Sequence, residues 1–147
     1  MRFSDSLGRK IVSLATAETV GTLGEFVVDP QTQRIVALGV SKSKNGDTLA
    51  WNSIESFGPD AVTVADDTRV AGAEREVAQL SGKEHAFLGK RVLATSGDEI
   101  GKVDDVDFDP GSGVLLTIAV TGGEIDAERL VGVGSYAVVV EAEKPSN

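Results

Sequence analysis

The chain contains an internal repeat that covers most of its length. The stretch VGTLGEFVVDPQTQRIVALGV (20–40) aligns without a gap with IGKVDDVDFDPGSGVLLTIAV (100–120), at an offset of 80 residues set by two Asp-Pro pairs. Upstream, LGRKIVSL (7–14) aligns with LGKRVLAT (88–95) at an offset of 81, and downstream IESFGPDAVTV (54–64) aligns with LVGVGSYAVVV (130–140) at an offset of 76. One small fold is therefore built twice, and the two copies can be compared position by position.

Each copy has the pattern of several short β-strands. Apolar and β-branched residues alternate or run together in segments bounded by Gly, Pro and Asp. The long strand of each copy holds one residue more than strict alternation allows, which predicts a β-bulge. The predicted strands are residues 10–14, 20–28, 34–40 and 61–64 in the first copy and 91–94, 100–108, 114–120 and 136–140 in the second. Short curved strands with glycines favour a small closed barrel for each copy.

The loops of the repeat carry signals of their own. Asn45-Gly46 is typical of a tight hairpin. A short helical turn is predicted near residues 52–56 of the first copy and 126–131 of the second, with Asn52 or Asp126 as its cap.

The segment between the copies differs in character from both. Val70, Ala73, Val77 and Leu80 fall at helical spacing, and Ser81-Gly82 is a plausible stop, so we expect a connecting helix of about ten residues. Its apolar stripe needs a surface to cover, so the two barrels should be docked together. The predicted fold is all-β, with two small closed barrels in tandem joined by a short helix. The predicted units are residues 1–66, a connecting helical segment 67–84, residues 85–143 and a tail 144–147.

Composition excludes several classes of function. The chain has no cysteine and one histidine, His85, so thiolate chemistry and cysteine-ligated metal sites are excluded. The net charge is −9, and neither copy has the basic patch that nucleic acid or an anionic membrane surface would need. No apolar run reaches the roughly 20 residues of a membrane span, and the first residues do not have the pattern of a signal peptide. We therefore expect a cytoplasmic protein that inserts into no membrane and binds no nucleic acid directly.

These motifs resemble the PRC-barrel domain, which occurs in the reaction-centre H subunit of photosynthesis, in a ribosome maturation factor and in small standalone proteins. The resemblance rests on Leu7-Gly8, Gly21, Asp29-Pro30 and Gly58 in the first copy and on Leu88-Gly89, Gly101, Asp109-Pro110, Gly111, Gly113 and Gly134 in the second. It implies a barrel of about six strands that serves as a docking surface without catalysis. The chain shows neither the membrane helix of the first relative nor the additional domain of the second, so neither specific role is carried over.

The acidic segment DDVDFDPGSG (104–113) is the most reactive in appearance. As an EF-hand loop counted from Asp105, it has Pro110 where glycine is required and Leu116 where the last glutamate is required, so that match fails. Asp105 and Asp107 alternate with apolar residues, which places them on a solvent face about 7 Å apart. Asp109 is shared with the first copy and is explained by an Asp-Pro turn. Asp104, Asp105 and Asp107 therefore define an acidic face whose partner should be basic.

Two further motifs have structural interpretations. GVGSYA (132–137) fits the dinucleotide fingerprint in its letters, but a strand follows it where the fingerprint needs a helix, so we interpret it as a turn. His85 follows Glu84 and has no nucleophile motif near it, which favours a surface histidine.

The remaining candidates are asymmetries between the copies. Trp51 is the only tryptophan and aligns with Ala127, which makes it either a filler at the junction of loop and barrel or an interface residue. Lys42 and Lys44 lie on the longer loop of the first copy and form either solvated surface or a patch complementary to a partner or to a second copy of the same protein.

The sequence therefore predicts a non-enzymatic cytoplasmic adaptor or protein-interaction module, with ribosome or RNA-processing assembly as one setting for its partner. It predicts no cofactor. The alternative is a small-ligand or cation binder that uses residues 104–109 or the groove between the barrels. Thermal melting with and without calcium or magnesium separates the two, because a ligand of the native state raises the midpoint. The expected state is a monomer with internal pseudo-symmetry or a weak homodimer.

Overall fold

Two β-sheets, one for each copy, make up the chain in the computed structural model, which describes residues 1–82 and 85–142. The all-β class and the tandem arrangement are confirmed. The first unit contains α1 (Phe3–Ser6), β1 (Lys10–Ser13), β2 (Thr19–Asp29), β3 (Arg34–Ser41), β4 (Thr48–Ala50), β5 (Ile54–Phe57), β6 (Ala61–Val64) and β7 (Val70–Ala71). After α2 (Arg75–Ala78), the second unit contains β8 (Arg91–Ala94), β9 (Glu99–Phe108), β10 (Leu115–Val120), β11 (Gly123–Asp126), β12 (Leu130–Val133) and β13 (Val138–Val140).

The two sheets have the same strand order, except that the first has one more strand, β7, at its edge. The first runs β5-β6-β1-β2-β3-β4-β7, and the second runs β12-β13-β8-β9-β10-β11. The pairs β1–β6 and β8–β13 are parallel, and the other pairs are antiparallel. The expectation of closed barrels is corrected, because the first sheet is open between β5 and β7 and the second is a half-barrel within the described residues. Each half-open sheet is left with apolar surface that must be covered by the other unit.

The predicted β-bulge is present in both long strands. Gly24 is the unpaired residue in β2, between Leu23 and Glu25, and Asp104 occupies the same position in β9. A bulge inserts one residue and increases the local bend. The strands can therefore curl around the core while Leu23 and the residues after the bulge stay buried.

Strands β4 and β11 lie in segments that the sequence pattern assigned to loops. Asn45-Gly46 belongs to a six-residue connection rather than to a tight hairpin, since β3 ends at Ser41 and β4 begins at Thr48. The side-chain amide of Asn45 donates to the carbonyl oxygen of Asp67 at 2.9 Å. Gly46 has φ +150°, and a side chain there would meet the backbone of Ala71. This dipeptide therefore holds the chain that enters β7.

Short 3-10 helices occupy both predicted helical turns, at Trp51–Ser53 and Ala127–Arg129. Asp126 caps the second, since its carboxylate accepts from the Glu128 amide at 3.1 Å. The expectation for Asn52 is wrong, because Asn52 lies inside the first 3-10 helix, which has no side-chain cap.

The connecting segment contains one helical turn rather than a helix of about ten residues. Val70 is buried and belongs to β7, which pairs with β4, and the helix is limited to Arg75–Ala78. Pairing with an unfilled sheet edge and the glycine at Gly72 together outweigh the helical spacing. Residues 83–84 and the predicted tail 144–147 lie outside the described residues.

One hydrophobic core spans both units. All five phenylalanines lie in it, and their rings contact one another across the junction of the two sheets. Phe26 from β2 and Phe108 from β9 lie with ring centroids 5.3 Å apart, and Phe3 stacks on Phe26 at 4.1 Å. Phe108 is fully buried and also contacts Phe57 from β5. Burying such rings supplies the largest apolar contribution of any side chains, so the two half-open sheets are joined by the aromatic centre that they share.

Candidate functional site

The two Asp-Pro turns meet at a pseudo-two-fold axis between the units. Arg34 at the start of β3 forms an antiparallel bridge with Val114, the residue at the same repeat position in the second unit. The Ile35 amide donates to the Gly113 carbonyl oxygen at 2.8 Å, and the Leu115 amide donates to the Gln33 carbonyl oxygen at 2.9 Å. These two bonds are equivalent, because the offset of 80 residues relates Ile35 to Leu115 and Gln33 to Gly113. A self-complementary contact of this kind is the signature of a two-fold dimer interface, here formed within one chain.

The segments that precede β1 and β8 each form a hydrogen bond to a long strand of the other unit. The backbone amide and hydroxyl of Ser4, in α1, donate to the carboxylate of Asp105 in β9. The backbone amide of Gly82 donates at 3.3 Å to Glu25, the residue of β2 that aligns with Asp105. Each long strand thus offers a carboxylate to the lead-in segment of the other copy.

The expectation that Asp105 faces solvent is wrong. It does point away from the inner face of β9, but α1 covers it, and only 7% of the residue is exposed. Burial by itself raises the pKa of Asp105, but hydrogen bonds from Ser4 and Val106 and the charge of Arg2 together hold that pKa below its usual value. Asp105 is therefore an ionised structural group within the fold.

The other members of the acidic segment have separate roles. Asp107 forms an ion pair with Arg2 at 3.4 Å and accepts from the Thr117 hydroxyl at 3.0 Å. Asp109 accepts from the Gly111 amide at 2.9 Å, a bond that lowers the pKa of Asp109 and fixes the turn, as the sequence predicts. Asp104, at the bulge, is exposed. Of the proposed acidic face, Asp104 alone is exposed and outside the contacts that bind α1.

The ends of the two Asp-Pro turns differ in a complementary way. Gln33 and Gly113 occupy the same repeat position, and both have a left-handed backbone, with φ of +52° and +80°. Gln33 donates from its side chain to the carbonyl oxygen of Leu130 at 3.1 Å, in the second unit. Gly113 lies against Trp51, and a Cβ at Gly113 would come within 2.9 Å of the indole ring.

Trp51 therefore packs at the junction between the units. It is half-buried, stacks on Phe57 with ring centroids 5.7 Å apart and meets Phe108 edge-on. Its counterpart Ala127 is fully buried. The large tryptophan faces a glycine, and its small counterpart Ala127 lies three residues before Leu130, to which Gln33 donates. The repeat alignment contains these paired differences, but they can be recognised only when it is known that each turn contacts the other unit.

A cavity of about 290 Å³ lies beside this contact, in the groove between the units. Its lining includes Trp51, Ile54, Glu55, Phe57, Pro110 and Gly111. The alternative hypothesis from the sequence placed a ligand either in this groove or at residues 104–109. Residues 104–109 do not line the cavity.

Lys42, Lys44 and His85 do not line this cavity. Lys42 and Lys44 are exposed in the connection between β3 and β4, and Lys42 has φ +57°. His85 is half-buried, with Nδ1 3.1 Å from the carbonyl oxygen of Ser81. Across residues 1–82 and 85–142, His, Asp and Glu side chains form no group of three or more that could hold a metal ion.

The outer faces of the units differ in polarity. Val114, Leu116 and Val131 of the second unit are 37%, 49% and 44% exposed. Their sequence neighbours are bound to Gln33, which accepts from the Leu115 amide and donates from its side chain to the Leu130 carbonyl oxygen. We call Val114, Leu116 and Val131 the outer patch. At the aligned positions, the first unit has Arg34, Val36 and Glu55.

Comparison with known proteins identifies the second unit. The family model of the PRC-barrel domain matches residues 84–144, which contain β8 to β13. No curated protein matches the chain. Among the helices of the described residues, none has the length and apolar character needed to cross a membrane. Residues 84–144 thus match the PRC-barrel domain, and the first unit repeats the order of their six strands.

Proposed function

We propose that this chain is a non-catalytic cytoplasmic interaction module that binds a protein partner through the outer patch. The single observation that supports this is the exposure of Val114, Leu116 and Val131 where the other unit has two charged residues. Exposure of apolar side chains to water is unfavourable, and a partner that covers them removes that cost. The family has the matching general character of a docking fold.

The position of the patch suits a scaffold role. Gln33 from the first unit is anchored to Leu130 at 3.1 Å and to its own turn at the Pro30 carbonyl oxygen at 3.2 Å. The patch therefore lies on backbone that both units hold in place. A preorganised surface loses less conformational entropy on binding than a mobile one.

The first unit provides the test variant. Val114→Arg together with Val131→Glu gives the outer patch the residues found at the aligned positions Arg34 and Glu55. Because those residues are tolerated on the same backbone in the first unit, we expect the variant to fold, with urea unfolding as the check. Affinity capture from the native cytoplasm should lose its specific partners with this variant. The same partners captured at undiminished levels would contradict the proposal.

A change of glutamate to valine outside the outer patch is the matched control. Glu18→Val alters an exposed residue of the first unit and leaves the outer patch intact, so capture should be unchanged. The identities of the captured proteins then distinguish settings. A role in ribosome assembly brings ribosomal proteins into the patch-dependent fraction, and a role in a membrane complex brings integral membrane proteins.

A further inference from the structure

The cavity beside Trp51 exists on one side of the pseudo-two-fold axis because the second Asp-Pro turn has small residues. Gly111 and Gly113 align with Gln31 and Gln33 of the first turn. On the other side of the axis, the side chain of Gln33 extends to Leu130. The absence of these side chains from the second turn opens the space between Pro110 and β5.

The cavity has an aromatic wall and an acidic rim. Trp51 and Phe57 form one stacked wall, and Pro110 faces it from the second turn. Glu55 is exposed at the rim and is the one charged residue in the lining. Arg9, whose guanidinium lies over the Phe57 ring, donates to the carbonyl oxygens of Gly58 and Asp5 and does not line the cavity. The carboxylate of Glu55 is therefore open to a cation from outside.

An aromatic wall beside an exposed carboxylate fits one type of group. A lysine side chain buries its methylene stem against apolar surface and keeps its ammonium at the edge of the contact. Aromatic rings add to the attraction for such a cation, and the net charge of −9 raises its local concentration. The volume of about 290 Å³ is at the lower end of ligand pockets and suits a side chain rather than a cofactor.

We propose that this cavity binds an alkylammonium group, the side chain of a lysine on a protein partner, with its stem between Trp51 and Pro110 and its ammonium beside Glu55. The proposal does not depend on the outer patch, which lies around Gln33 on the other turn. Glu55 and Val131 occupy the same repeat position, so Val131→Glu, a change in the outer patch, serves as the control for the cavity.

The only tryptophan of the chain lines the cavity and reports on it directly. The probes are N-acetyl-lysine methylamide and choline, each titrated while Trp51 fluorescence and the Gly111 amide resonance are followed. Their neutral counterparts are N-acetyl-norleucine methylamide, which keeps the stem, and 3,3-dimethylbutan-1-ol, which has the shape of choline. We expect saturable binding of the lysine derivative, about tenfold weaker binding of the norleucine derivative and weaker binding of choline than of lysine. Choline bound more tightly than the lysine derivative would overturn the assignment to a lysine side chain.

Two variants complete the test. Glu55→Val should weaken the lysine derivative by about fivefold or more, and Gly111→Gln, which restores the residue of the first turn, should weaken all probes. Val131→Glu should leave the titration unchanged. Equal binding of charged and neutral probes, no saturable change with either cation, or full affinity in Glu55→Val would each overturn the proposal. A loss of affinity only in Val131→Glu would place the cation on the outer patch instead.

Discussion

The two Asp-Pro turns share a backbone and differ in what they place against the opposite unit. Both end in a left-handed residue and exchange the same pair of hydrogen bonds across the axis. The first turn reaches across with Gln33 toward Leu130, and the second offers Gly113 to Trp51. The comparison shows that backbone contacts preserve the pseudo-two-fold arrangement while side chains differ in matched pairs. The asymmetry leaves an apolar outer patch on the second unit and a cavity in the groove between the units, with Glu55 at its rim.

The largest difference should appear at the aromatic centre. Phe108 and Val28 occupy the same repeat position, and both are buried. Phe108→Ala should lower the free energy of unfolding by about 3–5 kcal/mol, since it removes a ring of the second unit that contacts Phe26 and Phe57 of the first unit. Val28→Ala should cost less, at about 0.8 kcal/mol for each buried carbon lost. Urea unfolding of both variants measures the two losses of stability. Equal losses would mean that Phe108 contributes no more to the shared core than Val28 does.

The contact of the second turn with Trp51 should give the next largest effect. Gly113→Gln should cost about 2 kcal/mol or more, because a Cβ at that position overlaps the indole ring and the backbone is left-handed. Adding Trp51→Ala should recover part of that loss, so the two changes should be non-additive in a double-mutant cycle. The matched change, Gln33→Gly, should cost less than Gly113→Gln. Strict additivity of Trp51→Ala and Gly113→Gln would show that the ring and the turn are not matched.

A smaller, pH-dependent difference in stability is expected between Asp105 and Glu25, the two carboxylates that accept hydrogen bonds from the other unit. The pKa of Asp105 is held below its usual value, so its contribution to stability is complete above the unfolded-state pKa of about 3.9 and is lost as the pH falls through the lower folded-state pKa. Asp105→Asn should therefore lower stability by about 1–2 kcal/mol at neutral pH, with a difference that shrinks in acid. Glu25→Gln is the control, because Glu25 is less buried and accepts one longer bond at 3.3 Å. A difference that stays constant down to pH 2 would argue against the ionised role of Asp105.

Much of the fold could be predicted from the sequence because it depends on local patterns that occur twice. The strands, the bulge before Phe26 and its counterpart, and the role of Asp109 in a turn all follow from alternation and turn chemistry. The segment around Val70 was mistaken for helix because the sheet edge that it completes is distant in sequence. Pairing of that kind is decided by tertiary contact and overrides local propensity.

The candidate site was harder to predict because it is formed by contacts between the copies. The alternation in β9 correctly placed Asp105 on its outer face, but no local rule states that α1 covers that face. Trp51 was identified as an asymmetry without its partner, since Gly113 is distant in sequence. Glu55 was missed, and the alignment of Glu55 with Val131 was the signal that could have indicated it.

The central claim is that the two units are one cooperative body built on a shared core, and hydrogen exchange of two equivalent amides tests it most directly. Ile11 in β1 and Val92 in β8 are aligned, fully buried residues on opposite sides of the axis. If the core is shared, both amides exchange with the free energy of global unfolding, and Phe108→Ala lowers both by the same amount. Exchange of Ile11 that stays unchanged in Phe108→Ala while Val92 loses protection would show two independently folding barrels and contradict the account.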